Sequence, residues 1–311
     1  MDKRRLGGSE LEFLPIALGG IVFGWTADEA MSHRILDAFV DAGFSLVDTA
    51  ESYTYWSPNS SWGKSEAVIG SWLRKNPGKR HRLLVATKTT TLSRERLRAA
   101  VESSLARLGT DYIDLFQSHR DDRDVPLEET LSTYDELIRE GKLRCIGASN
   151  HDAPRLAEAA RVAADNGLMA YQSLQPHYNL LERPLFEGAL EEECQRQGIG
   201  VLPYYPLASG FLTGKYRSDA DFGKSVRGAS ETVTRYATAR GFGVLAALDA
   251  AARKHGTSNA TVALAWLLHR KSITAPIVGA NNLGQLAELL AAAELALDAE
   301  SLAALDAASA A

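Results

Sequence analysis

From Leu14 almost to the C-terminus, short apolar runs alternate with longer stretches in which apolar residues recur every three or four positions. The runs cover 14–18, 44–48, 83–88, 113–119, 145–150, 170–175, 199–204 and 274–280. They are brief, nearly continuous and lack strict alternation, which is the pattern of strands buried on both faces of a parallel sheet. Between them, the segment 26–42 opens with a T-x-x-E capping pattern at Thr26 and Glu29. It carries Ile35, Leu36, Phe39 and Val40 on one face and stops at Gly43. The segment 93–108 places Leu97, Val101, Leu105 and Leu108 on one stripe before Gly109, and 127–140 does the same with Leu131, Tyr134, Leu137 and Ile138 before Gly141. Further helices are predicted at 64–74, 153–166, 185–197, 241–255, 259–270, 282–292 and 298–309.

Eight β-then-α units in series predict an α/β fold, a single (β/α)8 TIM barrel with a helical jacket and extra helices. The start, RRLGGSELEFL, reads as a β-hairpin turned at Gly7-Gly8-Ser9 that would plug the barrel floor. The segment 205–240 is long and rich in Gly, Ser and Arg, the kind of connection that is usually functional or mobile. No composition shift or linker marks a boundary, so one domain spanning 1–311 is expected.

Composition narrows the function classes. The chain has 311 residues, 45% apolar, with a formal net charge of −5, and no Lys/Arg run exceeds Lys3-Arg4-Arg5. Neither nucleic acid nor an anionic membrane is an expected partner. No apolar run reaches the ~18 residues of a transmembrane helix, and the N-terminus has no apolar signal-peptide core. The two cysteines, Cys145 and Cys194, fit neither a metal knuckle nor a disulfide framework. A cytoplasmic, metal-free protein, monomeric or homo-oligomeric, is the expectation.

In such a barrel the chemistry sits where the strands end. Asp48 ends the second run, Lys88 the third and His119 the fourth, and Tyr53 follows the second. Each alone has an ordinary reading: a helix cap, a solvated amine, a hydrogen-bonded core imidazole, a packing ring. Together on consecutive strands they suggest a proton-transfer site. A phenol normally holds its proton up to pH ~10, and a nearby ammonium lowers that value. Asp48 would keep Lys88 charged, Lys88 would ease proton release from Tyr53, and His119 would hydrogen-bond a carbonyl and share its proton with the phenol. This set contains no reductant, so a hydride donor must bind alongside. No G-x-G-x-x-G occurs, GFLTGK has the wrong spacing for a P-loop, and Asp48 with Glu51 is a poor pair for a glycosidase.

These residues are embedded in LVDTAESY, ATK at 86–88, YIDLFQSHR at 112–120, IGASNH at 146–151, YQSLQPHYNLLER at 171–183, PLASGFLTGKY at 206–216 and IVGANNLGQLAE at 277–288. Together the strings resemble the aldo-keto reductases over nearly the whole chain, and look closest to the bacterial branch that includes the potassium-channel β-subunit relatives. The resemblance implies reversible hydride transfer between NADP(H) and a carbonyl or alcohol substrate, with Tyr53 as general acid, Lys88 and Asp48 tuning it and His119 orienting the carbonyl. A slow-turnover NADP-binding regulatory or redox-sensing protein is the alternative. Ser149, Asn150 and Gln172 would hold the nicotinamide amide and Tyr204 would stack on the ring. Tyr205 stands where serine is common. Leu207, Ser209, Gly210 and Lys215 would wrap the pyrophosphate, and Gly279, Asn281, Gln285 and Glu288 would surround the adenosine. Asn281 and Gln285 are neutral where many members carry a base, which leaves Lys215 and Arg227 as the nearest cations for a 2′-phosphate. NADP is expected over NAD, with use of NAD(H) left open. Trp25, Tyr55 and Trp56, and to a lesser degree Trp62, would line an apolar substrate pocket. Asp121 and Asp122 would give the rim a negative charge that disfavours anionic substrates.

Overall fold

The structure, a computed structural model, describes residues 1–53 and 61–310. Its centre is eight parallel strands: β3 (Ala17–Gly19), β4 (Leu46–Asp48), β5 (Leu84–Thr89), β6 (Leu115–Ser118), β7 (Ile146–Ser149), β8 (Ser173–Gln175), β9 (Gly200–Val201) and β10 (Ile277–Val278). They pair in chain order from β3 to β9, and β10 pairs with β3. The seam between β9 and β10 is closed by Thr274 N–H to Val201 O at 2.9 Å and Ile277 N–H to Pro203 O at 3.0 Å. The result is the predicted (β/α)8 barrel, and each of the eight apolar runs contains or overlaps its strand.

The N-terminal strands β1 (Arg4–Arg5) and β2 (Glu12–Phe13) form the predicted antiparallel hairpin. Gly7, at φ +56°, turns it against the N-terminal edge of the barrel, where an added Cβ would lie 2.3 Å from Gln172 O. Leu6, Leu11 and Phe13 of the hairpin pack with Ala17, Leu46, Ala86, Leu115 and Leu202 as a small core inside the barrel. That plug leaves the opposite, C-terminal end for polar residues. A larger core fills the space between the strands and the helices.

The jacket contains α1 (Glu29–Asp41), α2 (Lys64–Lys75), α3 (Arg94–Leu108), α4 (Leu127–Arg139), α5 (Ala153–Asn166), α6 (Ala189–Gln197), the single-turn α7 (Glu231–Thr234), α8 (Ala239–His255), α9 (Asn259–His269), α10 (Leu283–Leu290) and α11 (Ala299–Ser309). One cap differs from the sequence reading. Asp28, not Thr26, caps α1, accepting from Met31 N. Asp28 directly precedes the first helical residue, which is the capping position, while the Thr26 hydroxyl donates to Asn281 Oδ1 at 2.6 Å. The long 205–240 segment is built from short turns: 3-10 turns at Ala208–Thr213 and Asp219–Lys224, then α7. Among the described residues no helix is long and apolar enough to cross a membrane.

Candidate active site

The barrel's C-terminal mouth opens into a cavity of about 1590 Å³. Beneath it lie Asp48, at the end of β4, and Lys88, near the end of β5, each 1% exposed. Lys88 Nζ donates to Asp48 Oδ2 at 2.6 Å and to Thr49 O at 2.9 Å. Tyr53 reaches back from the β4–α2 connection and its hydroxyl donates to the same Oδ2 at 3.0 Å. Lys88 Nζ stands 4.7 Å from the centre of the Tyr53 ring. His119 follows β6, pinned by its N–H to Thr89 O at 2.8 Å. Its ring meets the Tyr53 ring edge-on at 6.3 Å between centroids, and its Nδ1 lies 3.4 Å from Ser52 Oγ. The four candidate residues therefore meet at one point.

Electrostatics revise two expectations. Tyr53 does not sit below its ordinary value of 10.0 but well above it: burial comes first, then the Asp48 charge and the hydrogen bond to it. Both donors face one oxygen of Asp48, so the phenol feels the carboxylate directly. Burial likewise lowers Lys88, against the pull of Asp48. His119 is pushed down to about 3, by burial first and then by the charges of Lys88 and Arg120. It is a neutral imidazole near pH 7 and offers a hydrogen bond rather than a proton to share. The resting site thus holds a protonated phenol beside a neutral hydrogen-bonding ring.

Of the remaining candidates, Ser149, Asn150 and Tyr204 line the cavity next to this cluster. Asn150 donates to His119 O at 2.9 Å and to Ser149 Oγ at 3.0 Å, and accepts from the Tyr204 hydroxyl at 2.9 Å. The Tyr204 ring stacks on His177 at 5.1 Å and 18°, a backing that sequence reading missed. Gln172 is a correction. Its side chain donates to Ala170 O at 2.9 Å at the floor end of the barrel, against the hairpin glycines. Gln175, the last residue of β8, lines the mouth instead.

Tyr205, Leu207, Ser209, Gly210, Lys215 and Arg227 form a second wall. Among the described residues, Asn150, Tyr205, Ala208 and Ser209 are the non-glycine residues with positive φ, at 56°, 51°, 48° and 56°. Such backbone is unfavourable for a residue as bulky as tyrosine and gathers at functional sites. Here the Tyr205 carbonyl is held by Asn179 Nδ2 at 2.9 Å. Gly279, Asn281, Gln285 and Glu288 make the third wall. There Gln285 Oε1 accepts from Asn281 N–H at 2.8 Å and Asn282 caps α10 through Gln285 N–H at 2.9 Å.

Trp62 lines the mouth at the surface. Trp25 carries the Arg227 guanidinium 4.8 Å above its ring. Tyr55 and Trp56 lie outside the described residues. The rim is not acidic as expected. Asp121 is paired with Arg155 at 2.8 Å and Arg123 at 3.2 Å, and Arg120, Lys215 and Arg227 share the cavity wall. The buried Nη2 of Arg227 has no hydrogen-bond partner among the described residues. A cavity of this size whose wall carries a guanidinium with a buried nitrogen lacking a hydrogen-bond partner among the described residues fits a phosphate-bearing organic cofactor better than a small neutral ligand alone. Among the described residues no group of three or more His, Cys, Asp or Glu is placed to hold a metal ion.

Comparison with known proteins agrees with this geometry. The aldo/keto reductase family profile matches residues 15–310. The uncharacterized oxidoreductase YrpG of Bacillus subtilis is 32% identical, over 97% of this chain and 94% of its own. Protein tas of Escherichia coli is 32% identical, over 99% and 97%. The aldo-keto reductase dtxS3 of Metarhizium robertsii is 33% identical, over 96% and 89%. With its barrel, its mouth cluster and these relatives, the chain belongs to the aldo/keto reductase family of oxidoreductases.

Proposed function

We propose that this protein is an NADP(H)-dependent carbonyl reductase, reversible toward alcohol oxidation, with Tyr53 as the proton donor. The observation that carries the reading is the junction of Tyr53, Asp48 and Lys88 beneath a large cavity with neutral His119 on its wall. When bound, a nicotinamide cofactor would supply the hydride. His119 would hydrogen-bond the carbonyl oxygen and fix it within reach of the Tyr53 hydroxyl. As carbon gains the hydride, the oxygen gains negative charge and takes the Tyr53 proton. Lys88 stabilises the phenolate left behind, and Asp48 holds Lys88 in place. The same path reversed removes the proton of an alcohol.

Ser149, Asn150 and Gln175 would bind the carboxamide end of the cofactor, and Tyr204, backed by His177, would stack on its ring. The Leu207–Gly210 turn with Lys215 would hold the pyrophosphate. Asn281 Oδ1 and Gln285 Oε1 accept internal hydrogen bonds, which leaves their amide N–H groups to face a 2′-phosphate, with its charge met by Arg227, whose Nη2 lacks a partner among the described residues, and by the N–H groups opening α10. This favours NADP over NAD. The Trp62 ring at the mouth favours aromatic or otherwise ring-bearing carbonyl substrates, while Trp25 backs Arg227 and does not line the cavity.

Titration of the purified protein with NADPH and NADH, read by tryptophan fluorescence, tests the cofactor assignment. NADPH is expected to bind at least ~10-fold tighter, a difference of about 1.4 kcal/mol. Equal or tighter NADH binding would reject the NADP preference, and no binding of either would reject the reading.

A further inference from the structure

Asp48 accepts four hydrogen bonds, and two come from residues outside the Tyr53–Lys88 set. Oδ2 takes Lys88 Nζ at 2.6 Å and the Tyr53 hydroxyl at 3.0 Å. Oδ1 takes Gln175 Nε2 at 2.9 Å and Gln117 Nε2 at 3.2 Å. A carboxylate offers about four acceptor sites, so each is in use. The amide nitrogens must be the atoms facing Asp48, because an ionised carboxylate only accepts.

Gln117 is a polar residue in the middle of the apolar strand β6, with no exposed surface. An amide buried there is costly unless its groups find partners, and its partners are at this site: Nε2 on Asp48, and Oε1 accepting from Gln175 Nε2 at 3.3 Å. The barrel makes room for it. Gln117 lies in register with Lys88 on one side and Gly147 on the other. A Cβ on Gly147 would stand 3.2 Å from Gln117 Cγ and 2.0 Å from Ser173 Oγ. The two glutamines also differ: Gln175 lines the cavity, whereas Gln117 does not. A ligand in the cavity can therefore touch Gln175 but not Gln117.

We infer that Gln117 is a positioning residue for proton transfer, fixing the plane of the Asp48 carboxylate and moderating its grip on the protons of Lys88 and Tyr53. The inference rests on the proposed role of Tyr53. A hydrogen bond donated to a carboxylate offsets part of its charge. Without the Gln117 N–H, Asp48 presents a more negative field to both partners. Phenol and ammonium are then favoured over phenolate and amine, so both groups lose their protons at higher pH.

Gln117→Met keeps the length of the side chain and removes the N–H; Gln117→Leu serves where Met does not pack. Two readouts are used. The first is the pH profile of alcohol oxidation with NADP, whose inflection should move up by about half to one pH unit, since a charge-assisted hydrogen bond exceeds what one unit represents and is transmitted in part. The second needs no turnover: Lys88 is titrated by carbon NMR of Cε-labelled lysine, its signal assigned by loss in Lys88→Met, and its midpoint should rise in the same variants. A uniform loss of rate or a lower Tm with both midpoints unmoved would make Gln117 a packing residue only and overturn the inference. Absence of oxidation and reduction in the unmodified protein would reject the reductase reading instead, and the Lys88 titration would still decide the role of Gln117.

Discussion

At the scale of single residues, the site is governed by which charge each proton faces. His119 is held neutral by burial and by the cations Lys88 and Arg120. Its value falls from 6.5 in the unfolded chain to about 3 in the fold. The unfolded state therefore binds the extra proton between those values, and stability drops as pH falls through that window. The loss attributable to His119 reaches roughly 4–5 kcal/mol at the bottom of the window, at 1.36 kcal/mol per unit. Thermal unfolding followed from pH 7 downward should show a shallower acid limb in His119→Asn than in the parent. An identical slope in the two proteins would contradict the assignment. Asp48, Tyr53, Lys88 and His119 stand together at one mouth, and their positions are legible because apolar runs mark the strand ends. The direction of the Tyr53 shift is not legible in the sequence, because burial, its first cause, and the facing Asp48 carboxylate both belong to the folded site. The proximity of Tyr53 to Asp48, rather than to Lys88 alone, is set by side-chain geometry that spacing does not encode.

At the scale of elements, close approach decides more than propensity. Gly70 lies inside α2, where a Cβ would fall 2.1 Å from Arg107 O and 2.9 Å from Leu108 backbone atoms of α3. Helix propensity alone favours alanine there by about 1 kcal/mol. Overpacking against backbone costs about 1–3 kcal/mol, and here the backbone contact should prevail. Gly70→Ala is expected to lower Tm in a thermal melt, and a raised Tm would refute the packing argument. Two sequence expectations failed at this scale for related reasons. The T-x-x-E pattern predicts Thr26 as the cap of α1, but the helix begins later and Asp28 takes the position. The resemblance assigns Gln172 to the cofactor through the string YQSLQPHYNLLER, which contains two glutamines. Only Ser173–Gln175 is strand, so Gln175 is at the C-terminal end and Gln172 at the floor. The rule that function sits at strand C-termini would have separated them once the strand's true limits were known.

At the scale of the molecule, the barrel gathers residues that the chain keeps far apart. Asp48 meets Lys88 across 40 residues, Gln117 across 69 and Gln175 across 127. The hairpin plug closes one end with apolar side chains, and the polar cluster faces the cavity at the other. Periodicity made the barrel, its hairpin and the long wall segment readable in advance. The buried amides under the mouth were not readable, because a glutamine inside an apolar strand gives no sign of its partner until the strands are in register.

On the proposed reading, Tyr53 delivers the proton in a nicotinamide-dependent reduction at this mouth. The most direct measurement compares NADPH-dependent reduction of an aromatic aldehyde by the parent protein and by Tyr53→Phe, with NADPH affinity measured in parallel. Removal of a general acid should lower kcat/KM by about 10²–10⁴-fold, while NADPH affinity stays within about twofold. Turnover retained by Tyr53→Phe, or NADPH affinity lost with it, would contradict the account.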